Sequence, residues 1–302
     1  MLDFFKKLFG KKEKEQTTVV DNATTAPLTD QQLASIINTQ NVHFDLQQLV
    51  AGTGQSVGRQ RELNEDSLLA ITSTVGGHTG NAPFGLYIVA DGMGGHQYGE
   101  VASNAAMRTV AGHIMRKFHA SLFDLKPSPP NEPLQEMMQI AVREAQKVIQ
   151  HEAPNSGTTL TAALVLGHQV TIAHVGDSRA YHIYPDGRTE VITRDHSLVK
   201  RLEELGHISQ AEAENYPHRN VLYRALGQGE ILDPDVFTVS FPQSGYLMLC
   251  SDGLWGVVSD EKMFNIIKTA PDLNRACQNL VEAANAAGGP DNISVILVQM
   301  IG

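Results

Sequence analysis

Cysteine is scarce: two residues in a chain of 302, Cys250 and Cys277. Two thiols are too few for a disulfide framework, and neither stands in a zinc-like spacing. Basic charge is also short, with 23 Lys and Arg against 33 Asp and Glu and a formal net charge of −10. A surface that grips nucleic acid through phosphates leans the other way, so no nucleic-acid partner is expected. No apolar stretch approaches the ~20 residues needed to span a bilayer, and nothing resembles a signal peptide with its cleavage site. Aromatic residues make up only 6%, yet hydrophobic residues reach 42%, enough for one large domain or two small ones with a sizeable core. These absences lead to the expectation of a soluble, cytoplasmic protein of a reducing compartment. Acidic excess also suits a cluster of carboxylates offset by bound cations.

The first fifty residues differ from the rest. In "MLDFFKKLFGKKEKE", Leu2, Phe5, Leu8 and Phe9 fall on one helical arc with Lys6 and Lys7 outside it. This short basic amphipathic segment, residues 1–12, could lie peripherally on the anionic inner membrane surface. A solvated, frayed tail would show the same pattern, because Gly10 ends it after about two turns. Residues 16–28 are polar and Thr-rich, as in a linker, and Thr29 with Gln32 forms a capping box ahead of Leu33, Ile36 and Ile37. Residues 1–51 are therefore expected to be an N-terminal extension and residues 52–302 the catalytic domain.

Helical spacing marks residues 98–118, through Val101, Ala105, Val110, Ile114 and Phe118. It marks residues 131–152 through Leu134, Met138, Ala141, Ala145, Val148 and Ile149, after the start signal Asn131-Glu132-Pro133. The stretch from Thr158 to Thr193 reads as four strands joined by tight turns, two of them at Gly167-His168 and Asp186-Gly187. Short helices are expected within 197–230, strands at 235–241 and 246–250, helices near 259–269 and 272–286, and a last strand at 293–300. Hairpin-linked strands with helices grouped between them predict an α+β domain of antiparallel sheets.

A local echo carries the chemistry. "YIVADG" at 87–92 and "LMLCSDG" at 247–253 are both apolar runs that end in Asp-Gly. "IAHVGDS" ends at Asp177, "GGPDNIS" presents Asp291, and Glu65 and Asp66 precede a further apolar stretch. One Asp-Gly after a strand is usually only a turn, as Asp186-Gly187 is read here. Acidic residues at five strand ends, six side chains in all, form a set, and crowded carboxylates are costly unless a cation compensates them. Hard cations such as Mg²⁺ and Mn²⁺ take oxygen ligands, and glycine after an aspartate lets the backbone carbonyl approach the ion. Asp91 thus reads as a ligand and Gly92-Met93-Gly94-Gly95 as clearance around it. The same glycines lack a Walker lysine and a dinucleotide-binding spacing.

Taken together, Arg61-x-x-Asn64-Glu65-Asp66, "VADGMGGH", "GTT" at 157–159, "HVGDSRAY", "RDHS" at 194–197, "CSDGLW" and "GGPDNIS" resemble, in order, the metal-dependent protein serine/threonine phosphatases, the protein phosphatase 2C family in its bacterial form. The resemblance runs from about residue 52 to 300. It implies an αββα sandwich with a binuclear Mn²⁺ or Mg²⁺ centre, a third and weaker ion, and a flap at about 197–230. By this resemblance Asp91 bridges two metals, the Gly92 carbonyl ligates one, and Asp252 and Asp291 hold the first. Glu65 lies beside the second, Asp66 acts directly or through water, and Asp177 serves the third.

The implied reaction is hydrolysis of phosphoserine and phosphothreonine in proteins by a bridging hydroxide, opposing a bacterial Ser/Thr kinase. Arg61 is the phosphate anchor, its donor fork matching two phosphate oxygens. Neither cysteine opens a Cys-x5-Arg loop, which fits a mechanism without a protein nucleophile. The chain departs from the eukaryotic pattern at Met93, where those members carry a histidine as general acid. That leaves metal-bound water, His196 or His96 for the role. A catalytically weak binding module and a hydrolase of small phosphoesters are the competing readings.

Overall fold

The computed structural model describes residues 47–77, 80–93, 98–123, 132–209, 212–213, 216, 220–229 and 232–302. The amphipathic segment at 1–12, the Thr29–Gln32 capping pair, Gly94, Gly95 and His96 lie outside them. Alternation of side chains along each strand sets the architecture. In β3 (Gly80–Met93), Leu86, Ile88 and Ala90 face one way into a core with helices α1 (Gly99–Phe123) and α2 (Leu134–Glu152). Tyr87 and Val89, between them, face the opposite way into a second core. Strand side chains point alternately to opposite faces, so a continuous apolar run is what a strand covered on both sides requires.

The same logic builds the other half. In β10 (Tyr246–Cys250), Leu247 and Leu249 meet Tyr87 and Val89 in the middle of the molecule. Met248 and Cys250 face the outer helices α5 (Asp260–Thr269) and α6 (Leu273–Ala286). A one-turn helix, α4 (Asp252–Trp255), precedes them, and the short α3 (Leu198–Glu204) lies earlier in the chain. The result is helices, sheet, sheet, helices, with apolar layers between them.

The first sheet runs β1-β11-β10-β7-β8, formed by β1 (Gln48–Ser56), β11 (Ile293–Ile301), β10, β7 (Arg179–Ile183) and β8 (Thr189–Val191). The second runs β2-β3-β5-β6-β9, formed by β2 (Asp66–Gly77), β3, β5 (Leu160–Leu166), β6 (Gln169–Val175) and β9 (Asp235–Ser240), with β4 (Gly157–Thr158) paired to β3. Every pairing is antiparallel. Among the described residues no helix is long and apolar enough to cross a membrane.

Three details depart from the sequence reading. β1 begins at Gln48, inside the stretch read as extension, because Gln48 to Ser56 zip against Ile301 to Ile293 of β11. The four strands after Thr158 do not form one meander: β5 and β6 belong to the second sheet and β7 and β8 to the first. The chain changes sheet through Gly176-Asp177-Ser178, where Gly176 takes φ +105°. Val142, not Val148, completes the buried face of α2.

Candidate metal centre

Antiparallel register gathers the acidic strand ends at one end of the sandwich. Asp66, the first residue of β2, is the direct partner of Asp91 on β3. β6 ends two residues before Asp177, β10 ends two before Asp252, and β11 begins two after Asp291. Cys250 lies opposite both Arg179 and Val295, and Ser56 opposite Ile293, so the first-sheet ends are level with one another. The Ser251 hydroxyl then joins the two sheets, donating to Asp66 Oδ2 at 2.8 Å.

Backbone contacts hold each carboxylate in place. The Asp91 N–H donates to Thr159 Oγ1 at 2.9 Å, and the Asp91 carbonyl accepts from the Thr159 N–H at 2.8 Å and the Thr158 hydroxyl at 2.9 Å. Thr159 Oγ1 also meets Ser178 Oγ at 2.7 Å, linking this turn to the one that carries Asp177. The Asp177 carbonyl accepts the Trp255 indole N–H at 3.0 Å, and the Arg179 guanidinium stacks 3.5 Å above that indole while forking onto Asp195. Asn292 Oδ1 accepts the Glu65 N–H at 2.7 Å, and Asn292 Nδ2 donates to the carbonyls of Val57 and Leu63.

Two glycines are set by close approach. A Cβ on Gly99, the first residue of α1, would fall 2.3 Å from Glu65 Oε1. One on Gly92 would fall 2.2 Å from the Gly99 carbonyl oxygen and 2.5 Å from that of Glu65. Gly92 and Gly99 are therefore clearance for the neighbouring chain.

The electrostatics show what is missing from protein alone. Burial pushes the Asp91 carboxyl well above the usual carboxylate range, and the charges of Asp66, Asp252, Asp177 and Asp291 push it further. Burial raises Asp66 to about 7 against the hydrogen bonds of Ser294 and Ser251. Asp177 is raised by burial, then by Asp252 and Asp195, and Glu65 by burial, against the pull of Arg61. Asp66 Oδ1 is buried with no hydrogen-bond partner among the described residues. Arg61 Nη2 reaches Asp291 Oδ2 at 2.7 Å, with the Arg61 side chain 46% exposed. One half-open guanidinium does not neutralise five carboxylates.

An all-oxygen donor set with buried, mutually repelling carboxylates and an orphaned acceptor fits hard divalent cations. Among the described residues no three His, Cys, Asp or Glu side chains close on a single point.

His196 is not placed with the carboxylates. Its ring is buried, Nδ1 accepts the Gly176 N–H at 3.1 Å, and Nε2 stands 3.1 Å from Asp235 Oδ2. With Nδ1 accepting, the proton sits on Nε2 and is directed at Asp235, while burial lowers the ring's affinity for a second proton. Both nitrogens have protein partners, Nε2 standing also 3.3 Å from Arg224 Nη1, so the ring links the turn after β6 to the start of β9. Thr158, Thr159, Ser251, Asn292 and Trp255 were not assigned roles from sequence, although each belongs to one of the quoted motifs or follows it directly. Hydroxyl, amide and indole groups signal positioning only once their partners are visible.

The sequence profile of the family described as Protein phosphatase 2C matches residues 50–293. The chain belongs to the protein phosphatase 2C family. This is a family of serine/threonine protein phosphatases, hydrolases of phosphoric monoesters. The chain is 38% identical over 248 residues to the Serine/threonine phosphatase stp of Listeria monocytogenes serotype 4b, covering 80% of this chain and 92% of that one. It is similar in structure to the Streptococcus agalactiae serine/threonine phosphatase, with a TM-score of 0.70 at 27% identity, covering 83% of this chain and 98% of the other. The catalytic domain of the phosphatase PstP, solved in complex with two manganese ions, matches with a TM-score of 0.67 at 30% identity over 85% of this chain and all of that one.

Proposed function

We infer that this chain hydrolyses phosphoserine and phosphothreonine esters in proteins at a centre of two Mn²⁺ or Mg²⁺ ions, opposing a Ser/Thr kinase that supplies those esters. The observation that carries the reading is the convergence of Asp66, Asp91, Asp177, Asp252 and Asp291 at one end of both sheets with Arg61 beside them. Asp91, the Gly92 carbonyl, Asp252, Asp291, Glu65 and Asp66 would hold the two ions, with Asp177 serving a third. When bound, such ions supply Lewis acidity that activates water and offsets charge on phosphoryl oxygens.

The chain's own residues bind and orient. Arg61 meets Asp291 through one nitrogen, and its fork can take phosphate oxygens bidentately. No described cysteine competes as nucleophile: Cys250 and Cys277 are both buried, and burial pushes the Cys277 thiol up to about 12. With both nitrogens of His196 engaged, the proton for the leaving alkoxide comes from water. The test is phosphate release from a phosphothreonine peptide with Mn²⁺, with Mg²⁺ and with EDTA. Metal-dependent release abolished by chelation is the expected result. Release that persists in EDTA would refute the metal-centred reading, and folded protein silent under every metal would favour a binding module.

A further inference from the structure

The end of the sandwich away from the carboxylates is open on one side. β8 is the edge strand of the first sheet and β9 that of the second, so no further strand closes the middle apolar layer beyond them. A cavity of about 500 Å³ lies there. On β7, His182 stands three residues beyond Arg179, about 10 Å along the strand from the carboxylate end. On the second sheet Asp235 pairs with His174 and Ser240 with Gln169, so Phe241 follows the far end of β9.

The β7–β8 hairpin supplies the polar part of the lining, His182, Tyr184 and Glu190, and the chain from β9 onwards an apolar part, Val239, Phe241 and Pro242. Glu190 is the cross-strand partner of His182. The His182 and Tyr184 rings meet edge-on with centroids 6.1 Å apart, and the Tyr184 hydroxyl donates to Glu190 Oε2 at 3.2 Å. His182 is 6% exposed, and its Nε2 is buried with no hydrogen-bond partner among the described residues. That is a costly state, which native proteins keep for a reason. Burial lowers the His182 pKa against the pull of Glu190, so the ring is neutral near pH 7. No lysine or arginine is among the described residues lining the cavity, while Arg188 stacks 3.8 Å over the Tyr184 ring from outside that lining. The turn that carries Pro242 keeps Ser244 at φ +53°, a strained conformation of the kind found at ligand clamps.

We propose that this cavity binds a small organic cation, an ammonium group on an apolar body, with Glu190 taking the charge and Val239, Phe241 and Pro242 the body. An ammonium has only donors to offer, which suits both the Glu190 carboxylate and the acceptor nitrogen of a neutral imidazole. Tyr184, which already stacks on one cation at Arg188, and Phe241 present π systems that favour a cation over an anion. The site lies apart from the carboxylate cluster and stands or falls independently of the phosphatase reading.

The probes are phenethylammonium and two analogues of similar shape, the neutral 2-phenylethanol and the anion 3-phenylpropionate, each titrated into the full chain with Mg²⁺ present. Calorimetry should give phenethylammonium a dissociation constant below about 1 mM, about tenfold or more tighter than either analogue, because hydrogen bonds to charged groups outweigh neutral ones. Amide NMR shifts should centre on Ile192, Val239 and Phe241. Glu190→Gln, at an exposed position that leaves the fold intact, should bring the ammonium down to the level of the alcohol. His182→Phe, which keeps a ring and removes its nitrogens, should weaken the ammonium about tenfold. Equal binding of the three probes, an unchanged constant in either variant, or shifts centred on Asp91 and Asp252 would each overturn the proposal, as would no binding at about 10 mM.

Discussion

Thr159→Val is the substitution for which the site predicts an effect opposite to the one side-chain volume suggests. Valine keeps the shape of threonine and removes the hydroxyl that accepts the Asp91 N–H at 2.9 Å and meets Ser178 Oγ at 2.7 Å. Thr159 and Ser178 are both buried, so the freed groups cannot turn to water. An unsatisfied buried polar group costs about 1–3 kcal/mol, which puts the pair at about 2–6 kcal/mol. Thr159→Ser keeps the hydroxyl and loses only the methyl that packs where a Cβ on Gly176 would fall. One buried methyl with a small cavity is worth about 1 kcal/mol. Urea unfolding of the two variants without metal should therefore rank valine as the more damaging. Mn²⁺ affinity should follow the same order, with valine weaker by about 10–100-fold, because the hydroxyl ties the Asp91 turn to the Asp177 turn. Serine as damaging as valine in both measurements would refute the positioning role.

Arg61→Ala should chiefly raise KM for phosphorylated substrate; an unchanged KM would remove its anchoring role. Asp91→Asn should abolish metal-dependent turnover and raise the metal-free melting temperature by about a few degrees, since it deletes one of five crowded charges; a lower melting temperature would show that repulsion is already relieved within the fold. His174 is fully buried, and burial lowers its pKa from 6.5 to about 4, with His196 reinforcing the shift. Between those values the unfolded chain binds the proton more tightly than the folded one, so this residue should cost about 2 kcal/mol of stability from pH 7 to pH 5. Asp66, Asp91 and Asp177, raised by burial, gain stability over the same fall in pH, so the readout is wild type against His174→Asn. A difference in urea midpoint that does not fall from pH 7 to pH 5 would contradict the buried neutral state of His174. Deleting residues 1–27 should leave turnover nearly intact, to be read in the same peptide assay.

The legible parts of the fold were those written in local pattern. The tight turns at Gly167 and Gly187, the apolar stripes of α2 and α6, and the Asp-Gly endings of strands need no knowledge of distant residues. What stayed hidden depends on pairing across the chain. β1 looks polar and glycine-rich, and it is a strand because β11 offers it nine residues of register. β7 follows β6 almost at once yet joins the other sheet, a choice made by which partners remain open and not by anything within "RAYHI". At the site, aspartates announced themselves because glycine and apolar runs flank them. Thr159, Asn292 and Trp255 did not, because their work is to hold backbone groups from remote segments.

The most direct test of the central claim is the number of Mn²⁺ ions bound by the purified chain, measured by titration calorimetry alongside electron paramagnetic resonance. The carboxylate cluster predicts two tightly bound ions per chain in the wild type, besides the weaker third at Asp177, with tight binding lost in Asp91→Asn while the variant stays folded. A single ion, or two ions still bound in that variant, would contradict the shared centre built around Asp91.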